Sequence, residues 1–417
     1  MSRRGNSQPE TRAGVISHPS LDRRLLYVAA FLRAACTSLV GVTLGVYLAR
    51  RGFDPEAIGV IVSSGLAGAV VAALGATFFA DRIGRRRFLL GLTAFSAAGT
   101  LAFAFAGSVT ALALSAFFGM LNGMGRDRGA ALILEQAALP STATDSERTR
   151  VIAGYTLLQD VGHALGALLA GLPAWVTGAR AFGSADPHRY VLFGCAGIAA
   201  LTLILYLAVG DTIERGRASG VVPKLTVESR RILTRISSLF ALDALGGGFL
   251  TSALLSYFFF TRFGASEIAI GALFFGARLM NAVSHLGAAW LARRIGLVNT
   301  MVFTHIPSSL LLATVAIAPS FPVAAVLFLL REGLVEMDVP TRQSYVLAVV
   351  RPEERTFATG ITNLVRLAAW AVAPVVAGWL TVGDSYVVPL VAGAAIKIAY
   401  DVLLYRAFRE VRPPEEQ

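Results

Sequence analysis

Sixteen charged side chains lie inside stretches otherwise apolar enough to cross a bilayer, eight of each sign. The basic set is Arg33, Arg126, Arg128, Arg278, Arg331, Arg342, Arg366 and Lys397; the acidic set is Asp127, Glu135, Asp160, Asp243, Glu332, Glu336, Asp338 and Asp401. A charge at the bilayer centre costs about 3 kcal/mol on insertion scales, so each of these residues either pairs or does work. Equal numbers of the two signs are what ion pairs between helices would leave behind. Lys397 and Asp401, four apart, are expected to pair along one helix face. Glu135 and Arg342 lie near the ends of their stretches, where a long side chain reaches water. The deeper residues point to chemistry. At about 1.5 Å per helical residue, Asp160 and His163 fall near mid-membrane, three apart and so on one face. An imidazole with an acidic neighbour is the candidate for binding and releasing a proton. Arg278, Arg331, Glu332 and Arg366 reach similar depth; Asn281 and His285 share the face of Arg278, and Asn363 and Trp370 flank Arg366. Polar stripes that deep line or buttress a water-filled cavity. No histidine pair has metal-ligand spacing, and Cys36 and Cys195 both fall in apolar spans as free thiols, so neither a metal nor a cofactor is expected.

The helices that must position these residues are written into the chain twice. Residues 57–87 and 269–296 superpose on a slide of 212 positions, which brings Ala57, Ile58 and Gly59 onto Ala269, Ile270 and Gly271, and Arg82, Ile83 and Gly84 onto Arg294, Ile295 and Gly296. A chain of 417 residues that repeats at half its length has two equivalent halves. Hydrophobic residues make up 55% and charged residues 15%, which excludes an ordinary soluble domain. The net charge of +11 could suit nucleic acid, but the Lys and Arg residues concentrate in alternate loops, the positive-inside pattern of a bilayer protein.

About twelve apolar spans of ~20 residues are expected, each long enough for a hydrocarbon core of ~30 Å. The predicted fold is therefore all-α, with twelve transmembrane helices in two six-helix bundles at 23–210 and 237–405. A cytoplasmic tail precedes them at 1–22, a basic cytoplasmic linker joins them at 211–236, and a cytoplasmic tail closes the chain at 406–417. Pro223–Arg235, within the linker, reads as a short amphipathic surface helix. An even number of spans puts both termini in the cytoplasm. Two runs stand out inside the spans: Gly125–Gly129 (GRDRG) and Glu336–Gln343 (EMDVPTRQ), in which Asp127 and Asp338 correspond at an offset of 211. They read as a paired gate or as a static belt of salt bridges, with Pro340 bending its helix. Arg33 and Asp243 fall two residues apart in equivalent frames, which predicts a latch that forms when the cytoplasmic side closes.

Between the second and third spans the turn Ala80–Arg87 reads ADRIGRRR, with Gly84 allowing the reversal and Asp81 the one acid among bases. Pro352-Glu353-Glu354-Arg355 follows the tenth span, and Gly123-Met124-Gly125 lies in the fourth. Together these resemble the signatures of the major facilitator superfamily, and the resemblance covers about residues 25–405. It implies a bacterial inner-membrane transporter that works by alternating access. It further implies that Asp81, with Gly84 and Arg85, gates the turn by meeting the start of the eleventh helix; local neutralisation of Asp81 by Arg82, Arg85 or Arg86 is the alternative. Arg126, Asp127, Arg331 and Glu332 would face substrate, while Asp160, His163, Arg278 and Arg366 would sit beside the moving interface. The sequence departs from the family pattern at Thr77, Gly119, Ala167 and Arg293. Gly154, Gly162, Gly166 and Gly171 keep the fifth-helix pattern associated with export.

The chain has no nucleotide-binding loop, and an enzyme is not expected. The leading expectation is proton-coupled export of a small molecule by a monomer, with no nucleic-acid partner. Proton- or ion-coupled uptake of an organic or inorganic anion is the alternative, favoured by Arg278, Arg331 and Arg366. A non-transporting sensor on the same fold is the third.

Overall fold

The computed structural model describes residues 19–144, 146–178, 186–214, 226–348, 350–351, 354–381, 383 and 385–408. The outer parts of both predicted tails, the middle of the linker, and Pro352 and Glu353 lie outside the described residues. Sixteen α-helices run in chain order: α1 Pro19–Arg50, α2 Pro55–Ile83, α3 Arg85–Phe105, α4 Val109–Gly119, α5 Ala130–Ala138, α6 Arg148–Leu169, α7 Leu172–Gly178 and α8 Pro187–Ala208 make the first half. The second half holds α9 Val227–Gly248, α10 Ser252–Phe263, α11 Glu267–Ile295, α12 Leu297–Ala316, α13 Phe321–Val335, α14 Asp338–Ala348, α15 Arg355–Trp379 and α16 Val387–Phe408. Among the described residues nine segments are long and apolar enough to span a membrane, with α9 and α10 counted as one. The pairs α4–α5 and α13–α14, and the more polar α6, bring the number of spans to twelve. The chain is a multi-pass membrane protein with a twelve-helix fold.

Local chemistry sets the ends. Asp54, Thr226 and Ser266 cap α2, α9 and α11 through side-chain oxygens that accept backbone N–H groups. Gly84 adopts φ 105°, a conformation that favours glycine, and turns α2 into α3. The seventh span begins at Val227, inside the stretch expected to be linker. Residues 227–235 are thus the first turns of α9 and not a separate surface helix.

Three spans are interrupted, and each interruption has a cause. Span four stops at Met120 (φ 52°) and resumes only at Ala130; the glycine-rich link between them includes Gly125 at φ 68°. The GRDRG run, expected within a continuous helix, is therefore non-helical. Span seven breaks after the triple glycine Gly246–Gly248. Span ten breaks at Glu336 and Met337, four residues before Pro340. A proline ring collides with the carbonyl four residues earlier, so the bend falls at 336 and Pro340 sits in the tolerant first turn of α14.

Turns alternate between two faces of the bundle. One, here the basic face, carries Arg82 and Arg85–Arg87 after α2 and Arg293 and Arg294 before α12. The opposite face is the far face. Toward the far face a single apolar core draws on both halves, with Val42, Ile58, Phe258, Phe274 and Ala373 all buried in it. Toward the basic face the core splits in two: one cluster holds only first-half residues such as Leu26 and Tyr155, the other only second-half residues such as Phe240 and Leu404. The halves are joined at the far face and parted at the basic face. The seam is close: a Cβ on Gly45 would meet the carbonyl of Ala253 at 1.8 Å, and one on Gly59 that of Pro374 at 2.3 Å.

Candidate functional site

The parted side of the seam encloses a cavity of about 790 Å³ empty volume. Seven basic side chains line it (Arg126, Arg128, Arg278, Arg331, Arg342, Arg366, Lys397) against four acidic ones (Asp243, Glu332, Glu336, Asp338). Phe274, Phe328 and Trp370 supply the aromatic wall. Its floor is built where the two broken spans meet. The Ala253 N–H donates to the Gly123 carbonyl at 3.0 Å, and the Ser252 hydroxyl donates to the Met124 carbonyl at 2.9 Å. Helical breaks leave backbone groups without partners, and in hydrocarbon these must be satisfied internally. Here each half supplies them to the other.

Arg126 crosses this floor. It pairs with Glu336 at 2.9 Å and donates to Asn281, which in turn donates to Glu332 at 2.8 Å; Arg331 pairs with the same Glu332. Arg278 donates to the Gly125 carbonyl at 2.9 Å and has no carboxylate within ion-pair range, and its buried Nε has no hydrogen-bond partner. Arg128 has no carboxylate partner either and lies over the Trp370 ring, 5.0 Å from its centroid; Arg366 lies 4.9 Å from the same centroid. Among the described residues, two guanidinium groups lining one cavity are thus left without an ion-pair partner.

Each half also has its own charged centre. In the first, Arg33 reaches Asp127 at 2.6 Å and Glu135 at 2.6 Å and donates to the Tyr206 hydroxyl at 2.7 Å. The hydroxyls of Tyr155 and Tyr206 each donate to Glu135 at 2.5 Å. The second centre has inverted polarity: Asp243 accepts from Lys397 at 2.7 Å and from Arg366 at 3.1 Å, with Arg342 at 3.5 Å. Arg342 also pairs with Asp338. Behind them His305 Nδ1 lies 3.0 Å from both oxygens of Asp401, and its Nε2 is 3.2 Å from Lys397 Nζ. Of the sixteen intramembrane charges, the first half holds three of each sign and the second five of each.

Several expected partnerships are replaced. With the basic face parted, Arg33 and Asp243 do not meet and each is held inside its own half, which leaves untouched a latch expected only on closure of that face. Lys397 and Asp401 do not pair, because α16 turns them toward Asp243 and His305. Glu135 and Arg342 are buried, not snorkelling. Asp160 is exposed and makes no ion pair with His163. His163 is buried and accepts the Asp127 N–H at Nε2, 2.8 Å away, so it braces the span-four link. At the basic turn Asp81 pairs with Arg85 at 2.7 Å, and does not reach α15. The Glu214 carboxylate instead takes the free amides of Arg85 and Arg86, at 3.2 and 2.9 Å. Glu354 is held below the ordinary carboxylate range by the Ser229 hydroxyl and the N–H groups of Thr226 and Arg351. Sequence reasoning passed over Tyr155, Tyr206 and His305. The repeat offset held a signal for one of them: Tyr155 plus 211 is Arg366, and both contact the charged centre of their half.

A second cavity, about 910 Å³, lies inside the first half behind the span-four link, with Arg33, Asp127, Cys36 and Cys195 in its wall. Both cysteines are free thiols.

A sequence profile described as Major Facilitator Superfamily matches residues 26–374. An uncharacterized membrane protein of Saccharomyces cerevisiae is 25% identical over 418 residues, covering 92% of this chain and 93% of the yeast protein. Among solved structures, the nucleoside transporter NupG superposes with a TM-score of 0.74 at 16% identity, covering 93% of this chain and 99% of that one. A bacterial homologue of the human lysosomal transporter Spinster, in an inward-facing, occupied conformation, gives 0.71 at 16% identity over 94% and 96%. The xylose transporter XylE from E. coli, inward open, gives 0.69 at 13% over 96% and 99%.

Proposed function

The chain belongs to the Major Facilitator Superfamily, and from that premise we propose that it carries a small organic anion across the membrane by alternating access, coupled to protons. The observation that carries this reading is the pair Arg128 and Arg278, cationic, facing one cavity and lacking a carboxylate. Charge-assisted hydrogen bonds to an anion would supply what is missing. The aromatic wall of Phe274, Phe328 and Trp370 suits a flat apolar body behind the charge. Arg126, Asp127, Arg331, Glu332 and Arg366 take the supporting part: they are paired already and fix the guanidinium positions.

Of the two residues expected to handle a proton, Asp160 keeps that role in this reading. It is exposed, and among the described residues no ion pair holds it. His163 is already committed as an acceptor. The case for export rested on the glycines of α6. Cβ atoms at Gly162 and Gly166 would meet the Phe31 and Ala35 carbonyls at 2.6 and 2.0 Å, so these glycines serve the packing of α6 on α1 and say nothing about direction. Uptake by symport is therefore the reading adopted, since a proton moving with an anion lowers the charge that crosses. The basic face and both termini lie in the cytoplasm, following the positive-inside asymmetry. The chain acts as a monomer in a bacterial inner membrane.

Flux into proteoliposomes tests this, with radiolabelled aromatic carboxylates, sulfonates and phosphate esters and an imposed pH gradient. Saturable uptake that grows with an inward proton gradient is expected. Arg128→Gln and Arg278→Gln should each raise KM about tenfold or more, the loss of a hydrogen bond to a charged group. Transport of neutral or cationic compounds with anions ignored would sink the proposal.

A further inference from the structure

The far face is closed by more than apolar contact. Glu267, the first residue of α11, comes from the second half and is buried against two residues of the first. Arg50, in the last turn of α1, reaches its Oε1 at 2.7 Å. His188, in the first turn of α8, places Nε2 3.3 Å from the same oxygen. The other ring nitrogen of His188 lies 3.0 Å from Oδ1 of Asp186, which caps α8. The imidazole is buried, its Nε2 has no hydrogen-bond partner, and neither has Oε2 of Glu267.

A neutral imidazole carries one N–H. With both ring nitrogens turned to carboxylate oxygens, that hydrogen serves one side and leaves a lone pair facing an anion on the other. The surrounding charge gives the same answer. The charged groups in ion-pair range of the ring are Asp186 of its own helix end and Glu267 of α11, and Arg50 of α1 is paired with Glu267. The Tyr47 ring packs on the imidazole at 5.5 Å, and its hydroxyl is already bonded to Arg51. The imidazole and Glu267 are buried, Asp186 and Arg50 are partly exposed, and the two carboxylates outnumber the one guanidinium paired with them. An imidazolium cancels the difference.

We infer that His188 binds a proton when the far face closes, and that this proton completes the lock between the two halves. Opening withdraws Glu267, and with it the second carboxylate and the reason to hold the proton. The state that binds more protons is favoured as pH falls, so acid on the far face drives closure there and exposes the cavity to the basic face. His188 is then a proton-binding residue of the transport cycle, in the same half as Asp160 but at the far face. The cargo does not enter into it.

The inference rests on alternating access, and the test separates the two. Spin labels on Gly107→Cys and Ser385→Cys, exposed far-face positions of the two halves, would report the gap in nanodiscs. The background is Cys36→Ser with Cys195→Ser, and pH is varied from about 8 to 5.5, across the histidine range. The parent should gain the short distance as pH falls, by at most about tenfold per pH unit for one proton. His188→Gln should flatten that response and favour the long distance. His188→Lys, charged throughout, should give the short distance at every pH. Should His188→Gln fail to fold, Glu267→Gln carries the test and should flatten the response likewise. A wild-type slope in His188→Gln or Glu267→Gln overturns the lock. One unchanging distance in the parent and all variants overturns alternating access itself.

Discussion

Glu135 and Asp160 show how differently two carboxylates can sit in one half of a membrane protein. Glu135 has no exposed surface, and both of its oxygens accept from Arg33 while two tyrosine hydroxyls close the shell. Asp160, 25 residues on in the sequence, is exposed and unpaired. Breaking a buried pair leaves an uncompensated charge and costs about 3–5 kcal/mol, whereas exposed changes usually stay within about 0.5 kcal/mol. Glu135→Gln should therefore lower the thermal-shift midpoint of the purified protein sharply, and Asp160→Asn should leave it in place while impairing proton-driven flux. Equal midpoints for the two variants would refute the assignment. At this scale the sequence disclosed which residues are charged and how deep they lie, but not their partners. Arg33 and Asp127 are 94 positions apart, and Asp243 and Lys397 154. Depth along a helix is local information, whereas partner choice depends on which helices become neighbours and how each is rotated. For Lys397 and Asp401 the local i, i+4 rule lost to that rotation.

Helix punctuation was partly legible. Pro340 foretold a bend in span ten, and the four-residue reach of a proline ring explains why it falls at Glu336. The GRDRG run stands out in the sequence, yet its glycines and adjoining charges do not by themselves abolish a helix. What tips the balance is tertiary: the link has a partner across the seam in the break after α9, where Ser252 and Ala253 take up its carbonyls. Gly125 is doubly constrained, since a Cβ there would sit 2.7 Å from the Ser252 hydroxyl on a backbone at φ 68°. Gly125→Ala should cost about 1–3 kcal/mol of stability from the strained backbone. Adding Ser252→Ala should relieve the collision but not the strain, so the double variant should recover only part of the lost thermal-shift midpoint. Full recovery would mean that the backbone conformation matters little.

Across the whole molecule, the core is shared at the far face and divided at the basic face, and in the proposed cycle this is one of two states. The equality of positive and negative charges within each half has a consequence for electricity. The membrane potential acts on any charge displaced along the bilayer normal, with about 2.3 kcal/mol per elementary charge per 100 mV. A half that rocks as a unit carries three positive and three negative charges, or five and five, through the field together. Displacements of opposite sign cancel, and the empty protein is blind to voltage. Under the proposed proton-coupled transport, the current that accompanies turnover would be the charge of the cargo and its protons alone, and the ratio of current to flux would read out their stoichiometry. Voltage steps on proteoliposomes fused to a supported membrane, at constant pH and without cargo, should evoke no transient charge movement; a transient approaching one elementary charge per protein would show that the halves do not move as neutral bodies.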